Sequence, residues 1–228
     1  MNAVNLLLSF IIDLKKNEKL LNDDYENNYF LCQEACKNLV KNTGVNTIVS
    51  GIDNIPDEGS VLITSNHTSF YDIAVLVSVI NRYISFASAK ELMKYPILNK
   101  YISGINCVLI DRKTEDLKCM KEQLISMENA IKSGGLILFP EGECSYFKGD
   151  IKDFKKGGFI AASKHDIEIV PTYIKYGKMK HIGKWYIPTE DVEIIFGKGF
   201  IPSKEFGKKV NAKILSEYTK EKILELKK

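Results

Sequence analysis

His67 and Asp72 have four residues between them in the stretch Ser65-Asn66-His67-Thr68-Ser69-Phe70-Tyr71-Asp72. A neutral imidazole accepts a proton through one ring nitrogen while a carboxylate fixes the other as N–H, so such a pair can turn a hydroxyl into a nucleophile. The apolar run Val61-Leu62-Ile63-Thr64 precedes the pair and a helical pattern from Ile73 to Ile80 follows it. The imidazole therefore falls where a strand becomes a helix, a position well suited to a reactive side chain. Of the three histidines, 67, 165 and 181, only His67 has an aspartate at this spacing. Chance alone supplies about 0.16 such pairs in a chain of this composition, so a helix-capping aspartate beside a satisfied histidine stands as an equal reading of the spacing.

The elements that must position this pair alternate. Strand patterns run over 45–49, 61–64, 84–87, 107–110, 136–139, 169–174 and 192–196, with helical patterns over 69–80, 91–101, 114–133 and 157–164 between them. Strands that read as continuous apolar runs between helices predict an α/β fold, with a mostly parallel or mixed central sheet flanked by helices. Ligands of such sheets bind beyond the carboxyl ends of strands. Polar clusters fall at three of those ends: Asn66-His67, Asp111-Arg112-Lys113 and Pro140-Glu141-Gly142. A parallel sheet makes them converge on one cleft.

Residues 1–43 read as an N-terminal helical hairpin that packs on the core or associates with a membrane, 44–203 as the α/β domain that carries the polar clusters, and 204–228 as an amphipathic helix of that domain. In the first helix Val4, Leu7, Leu8, Ile11 and Leu14 share a face, widened by Leu6, Phe10 and Ile12. That face either packs on the core or dips into a bilayer interface. With no basic start and no small-residue cleavage site, the segment reads as a retained helix and not a secretion signal. In the last helix Val210, Ile214, Leu215, Tyr218, Ile223, Leu224 and Leu226 are expected inward, under a lysine-rich face.

Composition sets outer limits. The chain has 228 residues, 45% hydrophobic and 27% charged, with a formal net charge of +3. That bias is too weak to argue for nucleic acid, and no basic stripe interleaved with aromatics is present. Five cysteines, 32, 36, 107, 119 and 144, form no Cys-x2-Cys pair. Their odd number points to reduced thiols in a cytoplasmic setting, and no metal site is expected.

Four blocks occur in order: Asn66-His67-x4-Asp72, Ile110-Asp111-Arg112, Phe139-Pro140-Glu141-Gly142 and Val170-Pro171-Thr172. Across about residues 48–175 the chain resembles the glycerolipid acyltransferases, the family of 1-acylglycerol-3-phosphate acyltransferase; the tetrapeptide Phe-Pro-Glu-Gly alone arises by chance in roughly one such chain in a thousand. The resemblance implies acyl transfer from acyl-CoA or acyl carrier protein to a lysophospholipid hydroxyl, with no cofactor. His67 would be the base and Asp72 its orienter, with no acyl-enzyme required. Arg112 offers a planar fork to a phosphate, although a surface ion pair with Asp111 or Glu115 is the plainer reading. Glu141 and Gly142 would position the acceptor, Gly142 by letting its N–H approach an anion. Lys155 or Lys156 could reach a phosphate, with Lys156 the carried-over position, and Pro171 would shape the site or the donor pocket. The implied setting is the cytoplasmic face of the cell membrane, peripheral or monotopic.

One departure bears on the acceptor. Where the family's third block commonly continues Glu-Gly-Thr-Arg-Ser, this chain has Glu141-Gly142-Glu143-Cys144-Ser145. Loss of a charge-assisted contact to a phosphate removes about 1.5–3 kcal/mol. A different head group is therefore open, as is a degenerate, lipid-binding site.

Overall fold

The short apolar runs become strands of one sheet, buried on both faces at β2 and β5 and exposed at the edge strand β1. The computed structural model describes residues 3–145, 151–182, 185–207 and 209–227. The strands are β1 (Thr47–Ser50), β2 (Val61–Ser65), β3 (Ser85–Ala89), β4 (Val108–Ile110), β5 (Leu136–Leu138), β6 (Glu168–Tyr176), β7 (Met179–Ile182), β8 (Trp185–Pro188) and β9 (Val192–Phe196). The helices are α1 (Ala3–Asn17), α2 (Tyr25–Thr43), α3 (Tyr71–Val79), α4 (Pro96–Gly104), α5 (Leu117–Lys132), α6 (Gly157–His165), α7 (Pro202–Phe206) and α8 (Ala212–Leu226).

The central sheet has the order β1-β9-β6-β2-β5-β3-β4. From β6 through β2, β5 and β3 to β4 every neighbouring pair is parallel. The carboxyl ends of β2, β4 and β5 therefore share one edge, and the three polar clusters converge as the sequence predicts. β9 runs antiparallel to β6 and parallel to β1, which makes the sheet mixed.

Alternation along the strands divides the interior in two. Ile63, Val170 and Ile174 join one core with Leu6, Phe10, Leu14, Tyr29, Val75 and Leu76, whereas Leu62, Leu136 and Ile169 join another with Met127, Ile131, Phe159, Leu215 and Ile223. The α1–α2 hairpin is thus part of the first core. Asp24 caps α2 by accepting from Glu26 N and Asn27 N, and Gly44 ends it at φ 76°. Tyr29 Oη donates to Ile80 O at 2.9 Å and Gln33 Nε2 to the same oxygen at 2.7 Å, satisfying the carbonyl that caps the end of α3. Each fully buried large side chain contributes roughly 1.5–3 kcal/mol. An exposed ion pair contributes ~0–1 kcal/mol, so apolar burial and not the Lys100–Glu18 pair decides how the hairpin docks.

Several expectations shift. In α1 the buried set is Leu6, Phe10 and Leu14, while Leu8 (51%) and Ile12 (61%) are exposed; the side chain of Val4 lies outside the described residues. Pro96 divides the expected helix 91–101 into a 3-10 turn (Lys90–Lys94) and α4, because proline cannot donate within a helix but is favoured at its first turn. The single helix expected over 204–228 is two: α7 stops at Gly207 with φ 65°, and α8 starts afresh from Asn211, whose side chain accepts from Ile214 N. Ile214 and Leu224 are exposed and not inward. The antiparallel hairpin β7–β8 falls between the expected strands and has no counterpart in the sequence reading.

Gly135 is a tight joint at the amino edge, where φ is +137° and an added Cβ would lie 2.8 Å from Val61 O. Its N–H donates to Ala130 O and its carbonyl accepts from Ser85 N, fixing the entry of β5 between β2 and β3. Gly135→Ala is expected to destabilise the fold by about 2 kcal/mol or more in urea unfolding, from clash and backbone strain together.

Candidate active site

The loop from β2 into α3 is shaped by one carboxylate. Asp72 is fully buried. Its Oδ2 accepts from Thr68 N at 2.7 Å and Ser69 N at 2.9 Å and lies 2.8 Å from His67 Nδ1. Its Oδ1 accepts from the Tyr176 hydroxyl at 2.5 Å. Ser69 Oγ in turn accepts from Tyr71 N and Ser69 O from Asp72 N, which ties the loop to the first turn of α3. One carboxylate thus holds the loop amides and reaches the His67 ring. A carboxylate only accepts, so Nδ1 of His67 carries hydrogen and Nε2 is the working nitrogen.

Every face of His67 is held. Its backbone N–H donates to Glu141 Oε1 at 2.7 Å, its carbonyl accepts from Ser145 N at 2.7 Å, and its ring stacks on Phe139 at 4.2 Å and 15°. Asn66, one residue before, clamps β6 by accepting from Ile174 N and donating to Ile174 O. The side chain of His67 keeps 19% of its surface open. Nε2 faces Cys144 Sγ at 3.0 Å.

Electrostatics follow from these contacts. Burial disfavours the imidazolium, but hydrogen bonds to Asp72 and Cys144 and the charge of Asp72 outweigh it and raise His67 to about 9. Burial, then the charge of Asp72, pushes Tyr176 well above the usual phenol range, so it remains a donor. The hydrogen bond from Lys152 Nζ holds Glu143 below the usual carboxylate range, and the 2.8 Å pair balances the extra acid locally.

The structure redistributes the other expected roles. Arg112 is exposed and reaches from the end of β4 to donate through Nη1 to Gly142 O at 2.9 Å; Asp111 pairs instead with Lys90. Glu141, expected to position the acceptor, is buried with one oxygen on His67 N and the other on Lys152 N, so it braces the histidine backbone. Gly142 is left-handed, φ 77°, but its N–H donates to Phe139 O and its carbonyl holds Arg112, so that N–H is not turned toward an anion. Lys155 packs beside Gly142, whereas Lys156 is exposed at the start of α6. Pro171 lies in a central strand, not at an edge, and its ring is turned toward Gly197 and α8. It occupies the sheet face opposite Tyr176 and does not reach the dyad. Tyr176 and the ring stacking of Phe139 had no signal in the sequence as partners of the dyad.

A His–Asp dyad is braced at the carboxyl edge of a parallel sheet, with Nε2 of His67 able to exchange a proton and the Arg112 cation held at the neighbouring turn. The model of the Acyltransferase family matches residues 46–175, and the chain belongs to that family. It is 31% identical over 163 residues to the chloroplastic 1-acyl-sn-glycerol-3-phosphate acyltransferase BAT2 of Brassica napus, covering 69% of this chain and 46% of that protein. It is 29% identical over 196 residues to the probable enzyme of the same name from Mycoplasma genitalium, covering 77% of this chain and 72% of that one. The chain spans about half or less of the length of the plant relatives. Its fold matches the crystal structure of the 1-acyl-sn-glycerophosphate acyltransferase PlsC of Thermotoga maritima with a TM-score of 0.68, 22% identity, and coverage of 100% of this chain and 98% of that one.

A raised folded-state value means that the native protein holds the His67 proton more tightly than the unfolded chain. The resulting stabilisation is full below about 6.5 and is lost as pH rises through about 9. NMR titration of the imidazole is expected to give a midpoint near 9, and the stability advantage over His67→Gln is expected to shrink between those pH values. A midpoint near 6.5 would contradict the geometry.

Proposed function

We propose that this chain moves a fatty acyl group from acyl-CoA or acyl carrier protein to the free hydroxyl of a lysophosphatidate-like acceptor, giving phosphatidate. The observation that carries the reading is the Asp72–His67 dyad, 2.8 Å apart, at the strand edge to which Arg112 is also drawn. Nε2 of His67 receives the hydroxyl proton as the oxygen attacks the thioester carbonyl. Asp72 stabilises the imidazolium that forms, and the collapsing tetrahedral centre releases the thiol, which takes the proton. The Arg112 fork, of which one N–H is bonded to Gly142, is suited to the acceptor's phosphate. The names of the Brassica napus and Mycoplasma genitalium relatives support lysophosphatidate as the acceptor class.

A second acceptor reading rests on Cys144, which stands where the family commonly has an arginine. With Glu143 tied to Lys152, Arg112 and Lys155 are the cations next to the turn, and a lysolipid with a different head group fits the same dyad. Mass spectrometry of products from a panel of lysolipids with one acyl-CoA separates the two. In wild type, thiol release is expected to require a lysolipid. His67→Ala is expected to lower transfer by at least ~10²-fold in a protein that still unfolds cooperatively, at a lower midpoint, and turnover retained in that variant would reject the mechanism. Arg112→Ala is expected to raise the KM for the acceptor more than it lowers kcat.

Water-insoluble substrates call for a membrane surface, and we assign that contact to α1, working from the cytoplasmic side. Among the described residues no helix is long and apolar enough to cross a membrane. Leu8 and Ile12 are exposed one turn apart, with Lys15 and Lys16 following in the last turn, a pattern that suits peripheral insertion beside anionic lipid. Leu8→Glu with Ile12→Glu is expected to move the protein from the liposome pellet to the supernatant without changing its thermal unfolding; unchanged sedimentation would mean that α1 is structural only.

A further inference from the structure

Cys144 stands where a nucleophile would. Its sulfur is 3.0 Å from His67 Nε2, and His67 Nδ1 is 2.8 Å from Asp72, so thiol, imidazole and carboxylate form a continuous chain. A nucleophile within reach of a base that a third group orients is the geometric signature of covalent catalysis. The thiol is not a chance neighbour on a loose loop. Its turn is tied to the His67 backbone on both sides, by Glu141 Oε1 accepting from His67 N and by Ser145 N donating to His67 O, each at 2.7 Å. The remaining cysteines lack this setting: Cys32 and Cys36 are buried in α2, a hydrogen bond with Cys32 and burial raise Cys36, burial raises Cys107, and Cys119 contacts Gln123.

We propose that Cys144 is a covalent acyl carrier, taking the acyl group from the thioester donor and surrendering it to the acceptor hydroxyl. This rests on the acyl-transfer reading above and adds a step to it. His67 Nε2 takes the Cys144 proton and the sulfur attacks the donor carbonyl carbon. The bond from that carbon to the donor sulfur breaks, and the leaving thiolate takes the proton from Nε2. Cys144 now bears a thioester and His67 is neutral. The acceptor hydroxyl then gives its proton to Nε2 as its oxygen attacks the same carbon. The bond to Cys144 breaks, the ester departs, and the sulfur recovers the proton. One thioester is exchanged for another of the same chemical type, so the first half needs no additional reactant or driving force.

The two halves explain each other. In the free protein Sγ occupies the position beside Nε2 that an acceptor hydroxyl needs. Acylation removes the S–H from that contact and leaves Nε2 free to accept from the alcohol.

The test mixes the full chain with acyl-CoA and no acceptor, quenches in acid, and measures intact and peptide masses with released thiol. The expected result is one acyl adduct per chain on the peptide holding Cys144, cleaved by neutral hydroxylamine, with an equal burst of thiol. Added lysophosphatidate should chase the adduct into phosphatidate. Cys144→Ala should form no adduct and transfer at least ~10²-fold more slowly, with circular dichroism reporting its fold. A wild type that transfers acyl groups with no adduct, or a Cys144→Ala protein that transfers within about threefold of it, overturns the carrier. Because the adduct is measured on wild type, a variant that fails to fold does not remove the test. An adduct chased by another lysolipid but not by lysophosphatidate supports the carrier and rejects lysophosphatidate as acceptor.

Discussion

The fully buried carboxylate of Asp72 is the constraint on which the site depends. A buried anion is tolerated only when donors surround it, and here they come from three places: the Thr68 and Ser69 amides of the loop, the His67 ring, and the Tyr176 hydroxyl at the end of β6. Each lost partner would leave a buried polar group unsatisfied at a cost of about 1–3 kcal/mol. The conformation of the β2–α3 loop, the start of α3 and the direction of the imidazole are therefore one solution and not three. The parallel run from β6 to β4 supplies the setting, because it brings Tyr176, the Glu141 turn and Arg112 to the edge at which the loop emerges.

Around that anion the structure separates bracing from chemistry. Glu141 and Asn66 are committed to backbone groups, Phe139 to the flat face of His67, and Lys152 to Glu143. What remains directed outward is small: Nε2 of His67, Sγ of Cys144, and the fork of Arg112. Against burial, the hydrogen bonds to Asp72 and Cys144 raise the imidazole, and the buried carboxylate behind it stabilises charge on the ring when a proton arrives.

The α/β fold was legible because strands covered on both faces leave continuous apolar runs, and the converging clusters were legible because a parallel sheet aligns its carboxyl ends. His67, Asp72 and Arg112 were recoverable from residue type, order and resemblance. Glu141 was recognisable as important, but its task was not, since sequence carries no sign of which backbone amides a carboxylate will meet. Tyr176 was invisible: it lies 104 positions from Asp72, and nothing local to it differs from any strand tyrosine. Pro171 was matched to a motif, yet strand alternation turns it to the other face. The break at Gly207 and the β7–β8 hairpin were missed because lysine-rich periodicity hid a left-handed glycine and because two four-residue strands are too short to show an alternation.

The central claim is that the Asp72 carboxylate makes His67 chemically competent, beyond holding the loop. Asparagine at position 72 is nearly isosteric and is itself a good helix cap, so Asp72→Asn keeps most of the architecture while removing the charge. The most direct measurement is kcat/KM of Asp72→Asn for acyl transfer to lysophosphatidate, taken alongside its melting temperature. The account predicts a loss of at least ~10²-fold in a protein that still folds cooperatively. Transfer within a few-fold of wild type would contradict it and leave Asp72 as a cap alone.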